Sequence, residues 1–406
     1  MSELSYLEKL LDGVEVEWRN LGDTSLFEIA NNGRKPVKAS LRIAGETPYY
    51  GANNIQDYVD GYTHDGEYVL IAEDGSASLE NYSIQYATGK FWANNHVHVV
   101  RGKERVHSRF LYHYLCIVNF LPFLTGGGRA KLTKGQLIEI PVPIPCPDNP
   151  EKSLAIQSEI VRILDKFTAL TAELTAELNM RKKQYNYYRD QLLSFDEEQE
   201  KPVYLEKLLD GVKVEWLPLG EITKYEQPTK YLVKATDYHD TYTIPVLTAG
   251  KTFILGYTNE THGIYQASKA PVIIFDDFTT ANKWVDFDFK AKSSAMKMVT
   301  SCDDNKTLLK YVYYWLNTLP SEFAEGDHKR QWISNYSQKK IPIPCPDNPE
   351  KSLAIQSEIV RILDKFDTLT NSITEGLPRE IELRQKQYEY YRDLLFSFPK
   401  PETASN

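Results

Sequence analysis

The sequence predicts an α+β protein in which two mixed α/β domains of similar fold are joined by two long helices that form an antiparallel coiled coil. Repeated segments predict this pseudo-two-fold internal repeat. The 25 residues PIPCPDNPEKSLAIQSEIVRILDKF that begin at Pro143 recur unchanged from Pro342. The segment YLEKLLDGV begins at both Tyr6 and Tyr204, and a QYxYYRD segment follows each copy of the long repeat. Because equal segments at a fixed spacing fold alike, the chain carries two copies of one frame.

The long repeat is the part of the frame that predicts helices. Residues 148–151 supply Asx capping, a proline at the first helical position and an acid in the first turn. Apolar residues then recur in steps of three and four, which is a heptad seam, so we expect a helix over 151–194. Gly376 and Pro378 predict a break in the second copy. The two apolar stripes are expected to pair as a coiled coil, with a core helix of a compact domain as the alternative.

Two inserts without obvious identity, roughly 22–140 and 220–341, separate the repeated segments. Short apolar or alternating runs bounded by Gly, Asp and Asn predict that both are rich in strands. The expected strands are Tyr68–Ala72, Phe91–Val100, Thr241–Leu247 and Pro271–Phe275, and the expected short helices are Phe110–Leu121 and Leu308–Leu319. The inserts are therefore expected to share a fold but to present different surfaces.

A faint common skeleton supports the shared fold. It pairs AGET at 44–47 with AGKT at 249–252, and the acidic dipeptide at 73–74 with that at 276–277.

Composition restricts the class of protein. With 42% hydrophobic and 12% aromatic residues the 406-residue chain is globular, and it lacks an 18-residue apolar run. Its four cysteines show no CxxC spacing, which is typical of a reducing compartment and gives no zinc signature. The net charge of −9 lies in the frame, because the inserts carry 27 basic and 26 acidic residues. We expect a soluble intracellular protein that could bind nucleic acid only through local patches.

Several motifs suggest enzymes, and each has a plainer interpretation. AGKT at 249–252 resembles the end of a P-loop, but a proline stands where the first glycine belongs. Asp277, Asp288 and Lys290 imitate the carboxylates and lysine of a metal-dependent nuclease, although three such residues are expected by chance. His96 and His98 could share a strand face and bind metal, but a solvated face or a partner contact is the more common reason for such a pair. We therefore assign no catalytic residue and no metal site.

Two basic loops at equivalent positions are the best candidates for contact with DNA. The first is the glycine-rich segment from Thr125 to Lys131, and the second is the segment from Gly326 to Gln331. In the first loop the backbone N–H groups, Arg129, Lys131 and Lys134 suit phosphates, whereas Arg330 and Gln331 in the second can read guanine and adenine edges. A solvated loop is the alternative for each. The candidate DNA-binding residues are Arg129, Lys131, Lys134, Lys251, Thr252, Lys283, Lys329, Arg330 and Gln331.

The chain resembles the DNA-specificity subunit of type I restriction–modification systems, in the subfamily with TAEL repeats in the spacer. The resemblance rests on the repeated helices entered through IPxP, on the YLEKLLDGV and QYxYYRD segments, and on the tandem TAELTAEL at 171–178. It covers nearly the whole chain. The variable inserts match in layout more than in residues.

The resemblance implies a non-catalytic subunit that binds double-stranded DNA at a bipartite asymmetric site. Each of two target-recognition domains would read one half-site, and the coiled coil would set the gap. Two modification subunits would bring S-adenosylmethionine and methylate adenine, and two restriction subunits would bring ATP- and Mg-dependent cleavage. This chain would need no cofactor of its own, would contact no membrane and would lie in the bacterial cytoplasm. A structural assembly adaptor and a stand-alone metal-dependent nuclease are the alternatives.

The implied organisation assigns boundaries and further candidate residues. Target-recognition domains are expected over 1–147 and 198–346, spacer helices over 148–197 and 347–398, and a tail over 399–406. The ruler residues would be Thr171, Leu174, Thr175 and Leu178. Candidates for docking the modification subunits are Tyr185, Tyr187, Tyr188, Tyr388, Tyr390 and Tyr391. Packing at the end of the coiled coil is an equally good interpretation of these tyrosines.

Overall fold

The computed structural model divides into two compact units, which are described separately. The first unit comprises Met1–Leu174 and Glu380–Asn406, and the second comprises Thr175–Arg379. The described residues are 9–10, 13, 15–126, 130–195, 203–234, 238–250, 252–320, 330–372 and 374–399. Each unit contains one insert together with parts of both repeated helical segments.

The first unit is built on two four-stranded sheets and a two-stranded ribbon. Its strands are β1 (Val16–Asn20), β2 (Phe27–Ile29), β3 (Ala44–Tyr50), β4 (Ile55–Val59), β5 (His64–Asp65), β6 (Tyr68–Ala72), β7 (Ile84–Ala87), β8 (Lys90–Ala93), β9 (Val97–Gly102) and β10 (Pro141–Pro145). Short helices are α1 (Ser108–Leu115) and α2 (Lys134–Leu137), with 3-10 turns at Asn31–Gly33, Ala39–Leu41 and Leu121–Phe123. The sheets have the orders β2-β9-β6-β7 and β4-β3-β8-β5, and β1 pairs with β10. Every residue of β6 is buried, as its unbroken apolar sequence predicts.

Within its described residues, the second unit repeats this arrangement with one strand fewer. Helix α3 (Pro150–Leu192) enters it from the first unit, and α4 (Val203–Leu209) follows. Its strands are β11 (Val214–Pro218), β12 (Thr223–Glu226), β13 (Ile244–Leu247), β14 (Ile254–Thr258), β15 (Val272–Asp276), β16 (Asn282–Val285), β17 (Lys290–Ala291), β18 (Met296–Ser301) and β19 (Lys340–Pro344). Its short helices are α5 (Leu219–Ile222), α6 (Leu309–Leu316) and α7 (Gln331–Ser334), with 3-10 turns at Pro228–Tyr231 and Tyr336–Gln338. The sheets have the orders β12-β18-β15-β16 and β14-β13-β17, and β11 pairs with β19.

Strand pairing establishes which strands of the two units correspond, and it corrects the proposed match of AGET with AGKT. Strands β3 and β8 pair in parallel with Tyr50 opposite Ala93, and β13 and β17 do so with Leu247 opposite Ala291. Strand β3 therefore corresponds to β13. Ala44 begins β3, whereas residues 249–250 lie in the turn after β13, so the similarity of the two tetrapeptides is a coincidence.

One predicted strand is in fact two. Strands β8 and β9 replace the single run Phe91–Val100, and they belong to different sheets. The side chain of Asn94 accepts a hydrogen bond from the backbone N–H of His96 at 2.8 Å and turns the chain between them. Such local Asn hydrogen bonds compete with strand pairing, which a scan for apolar residues does not register.

The spacer helices differ as Gly376 and Pro378 predict. Helix α3 runs without interruption over 43 residues, whereas the second copy consists of α8 (Pro349–Asn371) and α9 (Gly376–Leu395). Gly376 has a φ of 77°, and a Cβ there would lie 2.3 Å from the carbonyl oxygen of Thr368. Glycine is therefore required at this turn.

Within each unit, the beginning of one spacer helix packs against the end of the other, as in the predicted antiparallel coiled coil. In the first unit the rings of Phe167 and Tyr391 stack with centroids 5.3 Å apart. In the second, the rings of Phe366 and Tyr188 stack at 5.4 Å. Both pairs bury apolar surface that the heptad seam would otherwise expose to water.

A buried glutamine attaches the repeated frame to each insert. Gln157 has no exposed surface; its Oε1 accepts from the backbone N–H of His107, which caps α1, at 2.8 Å. Its Nε2 donates to the carbonyl oxygen of Arg105 at 3.1 Å. In the second unit Oε1 of Gln356 likewise accepts a hydrogen bond from the backbone N–H of Leu308, ahead of α6, at 2.8 Å. Identical frame residues thus orient the same short helix in two different inserts.

Among the residues that the structure describes, no helix is long and apolar enough to cross a lipid bilayer.

Candidate nucleic-acid interface

The candidate DNA-binding residues are distributed over several elements of the two units. Arg129, Lys251 and Lys329 lie outside the described residues. Lys131 and Lys134 are exposed at the start of α2, and Arg330 and Gln331 occupy the corresponding place at the start of α7. Thr252 is exposed in the turn between β13 and β14, and Lys283 is exposed on β16 in the other sheet. The structure thus brings together the residues of each loop but places Thr252 and Lys283 on separate sheets.

A half-buried carboxylate underlies the basic loop of the first unit. Glu73 directly follows β6, and its Oε2 accepts a hydrogen bond from Nη1 of Arg34 at 2.6 Å. Its Oε1 lies 3.0 Å from Nζ of Lys131, and Nδ1 of His98 lies 3.8 Å from its Oε2. The carbonyl oxygen of Glu73 also accepts the backbone N–H of Leu132 at 2.8 Å. Both the side chain and the backbone of Glu73 therefore hold the end of the glycine-rich loop.

The charges around Glu73 determine its protonation. Burial acts to raise the pKa of Glu73, but hydrogen bonds from Arg34 and Lys131 outweigh it and hold the pKa below its usual value. The carboxylate is therefore charged at neutral pH, and it is available as a fixed anion beneath the loop.

A fully buried carboxylate occupies the same place in the second unit. Oδ1 of Asp277 accepts the backbone N–H of Trp332 at 2.9 Å, and its carbonyl oxygen accepts that of Gln331 at 2.9 Å. Its Oδ2 lies 3.0 Å from Nζ of Lys297 and 3.9 Å from Nη1 of Arg330. The Asp277–Lys297 contact lacks hydrogen-bond geometry, so its attraction is coulombic. Here too the carboxylate holds the backbone that follows the predicted recognition loop.

Strand register shows that the two carboxylates are equivalent and corrects the predicted match by one residue. Ala72 at the end of β6 lies opposite Val97, and Asp276 at the end of β15 lies opposite Met296. Glu73 therefore corresponds to Asp277, where the sequence comparison had paired it with Asp276. By the same register His98 corresponds to Lys297. The backbone N–H groups of Leu132 and Gln331 donate to the carbonyl oxygens of Glu73 and Asp277, so the preceding residues Lys131 and Arg330 also correspond.

The interpretations of His98 as a metal ligand or a solvated residue are wrong. Its side chain is buried, with Nδ1 accepting from Nδ2 of Asn31 at 2.9 Å and Nε2 donating to the carbonyl oxygen of Leu132 at 2.7 Å. Burial lowers the pKa of His98, which favours this neutral form. His96 is instead paired with Asp74. Within the described part of the chain, no cluster of three or more His, Cys, Asp or Glu side chains is arranged to hold a metal.

The residues that imitate a nuclease are engaged separately. Asp277 is used as described above, Asp288 accepts a hydrogen bond from Oγ of Ser268 at 2.6 Å, and Lys290 lies 2.9 Å from Glu260. The AGKT segment is no P-loop, because it lies between two antiparallel strands rather than between a strand and a helix. Sequence reasoning had noticed Glu73 and Asp277 but had missed the partners Arg34 and Lys297.

The candidate docking tyrosines fall into two groups. Tyr185 is buried, and Tyr188, Tyr388 and Tyr391 contact Phe366, His113 and Phe167 of their own units. Tyr187 and Tyr390 are the most exposed, at 61% and 65% of their surface. Packing within the units therefore accounts for four of the six side chains, although Tyr388 contacts the insert helix α1 rather than the coiled coil, and the equivalent Tyr187 and Tyr390 face solvent.

Two copies of one α/β domain, each with a carboxylate that contacts a nearby cation, define a class of protein that presents two equivalent surfaces on a repeated frame. The model of the type I restriction modification DNA specificity domain matches this chain twice, at residues 14–181 and 212–383. The chain belongs to this family, whose role in type I restriction–modification is DNA sequence recognition.

Individual relatives agree with this assignment. A putative type I restriction enzyme specificity subunit of Haemophilus influenzae is 47% identical over 97% of this chain and 98% of its own length. The specificity subunit of the Escherichia coli enzymes EcoR124I and EcoR124II is 89% identical over 199 residues, 49% of this chain and 48% of that one. The crystal structure of an S subunit from M. genitalium has the same fold, with a TM-score of 0.62 at 15% identity over 96% of this chain and 98% of that one.

Proposed function

We propose that this chain directs a type I restriction–modification complex to a bipartite, asymmetric DNA site. Target-recognition domains over 1–147 and 198–346 each read one half-site, and spacer helices over 148–197 and 347–398 set the gap, with 399–406 as a tail. The observation that carries the proposal is the equivalence of Lys131 and Arg330, two cations that each precede a residue whose backbone N–H donates to the carbonyl oxygen of the equivalent carboxylate residue, in inserts that otherwise differ.

The two loops would contact DNA in different ways. Lys134 is a point charge on a flexible stem, which suits it to phosphate oxygens, whereas Lys131, which Glu73 holds, can reach the acceptor atoms of a guanine edge. Arg330 and Gln331 can each make paired hydrogen bonds to a base edge in the major groove. Arg129, Lys329, Lys251, Thr252 and Lys283 remain candidates for the flanking backbone. The two half-sites would accordingly differ in base sequence.

The repeated frame would bind two identical partners in equivalent ways. Tyr187 and Tyr390 stand at the same place in the two QYxYYRD segments and are exposed. Exposed tyrosines that combine an apolar ring with a polar tip are common at protein interfaces. We infer that they dock two modification subunits, which supply S-adenosylmethionine and the methylation of adenine. Two restriction subunits would add ATP- and Mg-dependent translocation and cleavage.

Genome-wide mapping of adenine methylation tests this function in bacteria that express the chain with its modification subunit. We expect a two-part motif with a fixed gap that disappears when the chain is deleted. Arg330→Ala should relax one half-site and Lys131→Ala should weaken the other. The control is Lys213→Ala, which removes an exposed frame lysine and should leave the motif intact. Methylation that does not depend on the chain would contradict the proposal.

A further inference from the structure

We propose that Glu73 and Asp277 are positioning residues for sequence readout. Glu73 pairs with the loop cation Lys131 at 3.0 Å and Asp277 attracts Arg330 at 3.9 Å, and this restricts each cation so that it favours the correct half-site over other DNA. This inference rests on the proposed function, because it assumes that these two cations meet DNA.

The loop of the first unit is closed at the point where Glu73 holds it. The backbones of Thr125 and Lys131 exchange hydrogen bonds, with Lys131 N–H donating at 2.8 Å and Thr125 N–H at 2.9 Å. Lys131 is thus the closing residue of the glycine-rich loop, and its ammonium bonds to Glu73 while almost half of its side chain stays exposed. Arg34 also donates to the carbonyl oxygen of Val97 on β9 at 2.9 Å. The guanidinium that binds the Glu73 carboxylate is therefore itself held by β9. The anion under the loop is therefore rigid.

The second unit shows the same construction with other side chains. Asp277 is fixed by the backbone N–H of Trp332 and by the buried Lys297, and it faces Arg330 at 3.9 Å. Arg330 itself is half exposed. A cation that is anchored at its inner side and open at its outer side can meet a ligand with little further loss of side-chain freedom. The recurrence of this geometry in two divergent inserts argues against a coincidence of packing.

Electrostatics indicate that the carboxylates do not serve affinity. A fixed anion close to the DNA surface repels phosphates and neutralises part of the cation that would attract them. Its benefit is that the cation, once paired with the carboxylate, is not free to turn towards the phosphates of non-cognate DNA. The carboxylates are therefore expected to lower binding to non-cognate DNA and to raise discrimination.

A double-mutant cycle in the complex with the modification subunit tests the inference. Glu73→Gln, Lys131→Gln and the double variant are compared by Kd for three duplexes: the cognate site, and sites with either half scrambled. Glu73→Gln should reduce discrimination at one half-site about five-fold or more. It should leave the other half-site unaffected and should not weaken binding to the scrambled duplex. In the Lys131→Gln background, Glu73→Gln should have no further effect on discrimination between the cognate and scrambled half-sites.

The alternative outcomes are distinct. Equal weakening on all three duplexes, with a lower Tm, would mean that Glu73 is only structural and would overturn the inference. Additive effects of Glu73→Gln and Lys131→Gln would also overturn it while leaving the Lys131 contact intact. Unchanged discrimination in Lys131→Gln would overturn the proposed DNA contact and the inference together. Glu80→Gln, which removes an exposed charge from the same insert, is the matched control and should change none of these values.

The first unit is the better place for the test. Asp277→Asn would leave Lys297 buried without its counter-charge and could unfold the domain. In the second unit Arg330→Gln tests the DNA contact of the cation itself, and it should reduce discrimination at the other half-site only.

Discussion

Deleting Thr175–Leu178 from α3 should shorten the preferred gap in the DNA site by one to two base pairs. The helix is continuous through residues 171–178, which form two identical TAEL units. Four residues rise about 6 Å and leave a net twist of about 40°. Since successive nucleotides are about 3.4 Å apart along a strand, this rise corresponds to between one and two base pairs.

The apolar seam should survive this deletion. Leu174 and Leu178 are both half-buried, and they occupy the same place in the two successive TAEL repeats. Deleting the second TAEL repeat moves Leu174 into the position that Leu178 occupied, and the rest of the helix follows it unchanged. The ~40° twist is of the size that a packed pair of helices can absorb over its length. The two half-sites, which depend on the inserts, should remain the same.

Methylation of a plasmid library with randomised gap lengths measures the expected shift directly. Glu177→Gln is the matched control, because it removes the ion pair with Arg181 at 2.7 Å but keeps the helix length. This control should retain the original gap. An unchanged gap after the deletion, or a change in either half-site, would refute the assignment of Thr171, Leu174, Thr175 and Leu178 as a ruler.

Three further predictions concern stability. Gln157→Leu leaves buried polar groups unpaired and should cost about 2–3 kcal/mol in the first unit alone, seen as an earlier first transition in urea unfolding. His113 has a pKa lowered to about 4, chiefly by burial, so the native state should lose up to about 3 kcal/mol as pH falls from 6.5 towards 4; His113→Gln should flatten that part of the pH profile of unfolding. Gly376→Ala should cost about 1–2 kcal/mol or more because of its positive φ and the close carbonyl oxygen, whereas the control Gly135→Ala, with nothing nearer than 3.7 Å, should be neutral by thermal unfolding.

The direction of the His113 prediction follows from its burial, which disfavours the charged ring and outweighs the hydrogen bond to Asp165 that acts to raise the pKa. Its Nε2 lies 2.8 Å from Asp165 and its Nδ1 3.2 Å from the hydroxyl of Tyr388, while Arg109 and Arg392 oppose a further positive charge. A base whose folded pKa is depressed is neutral in the native state at pH values where the unfolded chain binds a proton. Stability is therefore complete above the unfolded pKa and is lost as pH falls through the interval between the two values.

Local patterns sufficed for much of the fold. The strand Tyr68–Ala72 has its predicted bounds, the first spacer helix ends within two residues of its expected limits, and the break near Gly376 is where glycine and proline place it. These elements depend on signals that lie within a few residues, such as a cap, a periodic apolar stripe or a helix breaker. The family resemblance rested on the same repeated segments.

The site could not be predicted to the same extent, because its partners are distant in sequence. Glu73 meets Lys131 and Arg34 only through the pairing of β6 with β9 and the return of the loop after α1. Equivalent residues of the two inserts are not separated by a constant number of positions, so a comparison at one fixed separation does not find them all. Glu73 and Asp277 are 204 positions apart, whereas Lys131 and Arg330 are 199 apart. The difference lies in the hairpin after the carboxylate, where loop length is free to vary.

The two units solve one electrostatic problem with different side chains. A buried carboxylate needs a compensating cation, which is Arg34 beside the neutral His98 in the first unit and Lys297 in the second. The fold therefore constrains the total charge around the carboxylate. The positions that provide the cation can differ between the two units, provided that they change together. A lysine placed at position 98 alone would add a buried cation to a carboxylate that Arg34 already neutralises. We therefore expect the carboxylate, its cations and its loop to be exchanged together when one insert replaces another in the same frame.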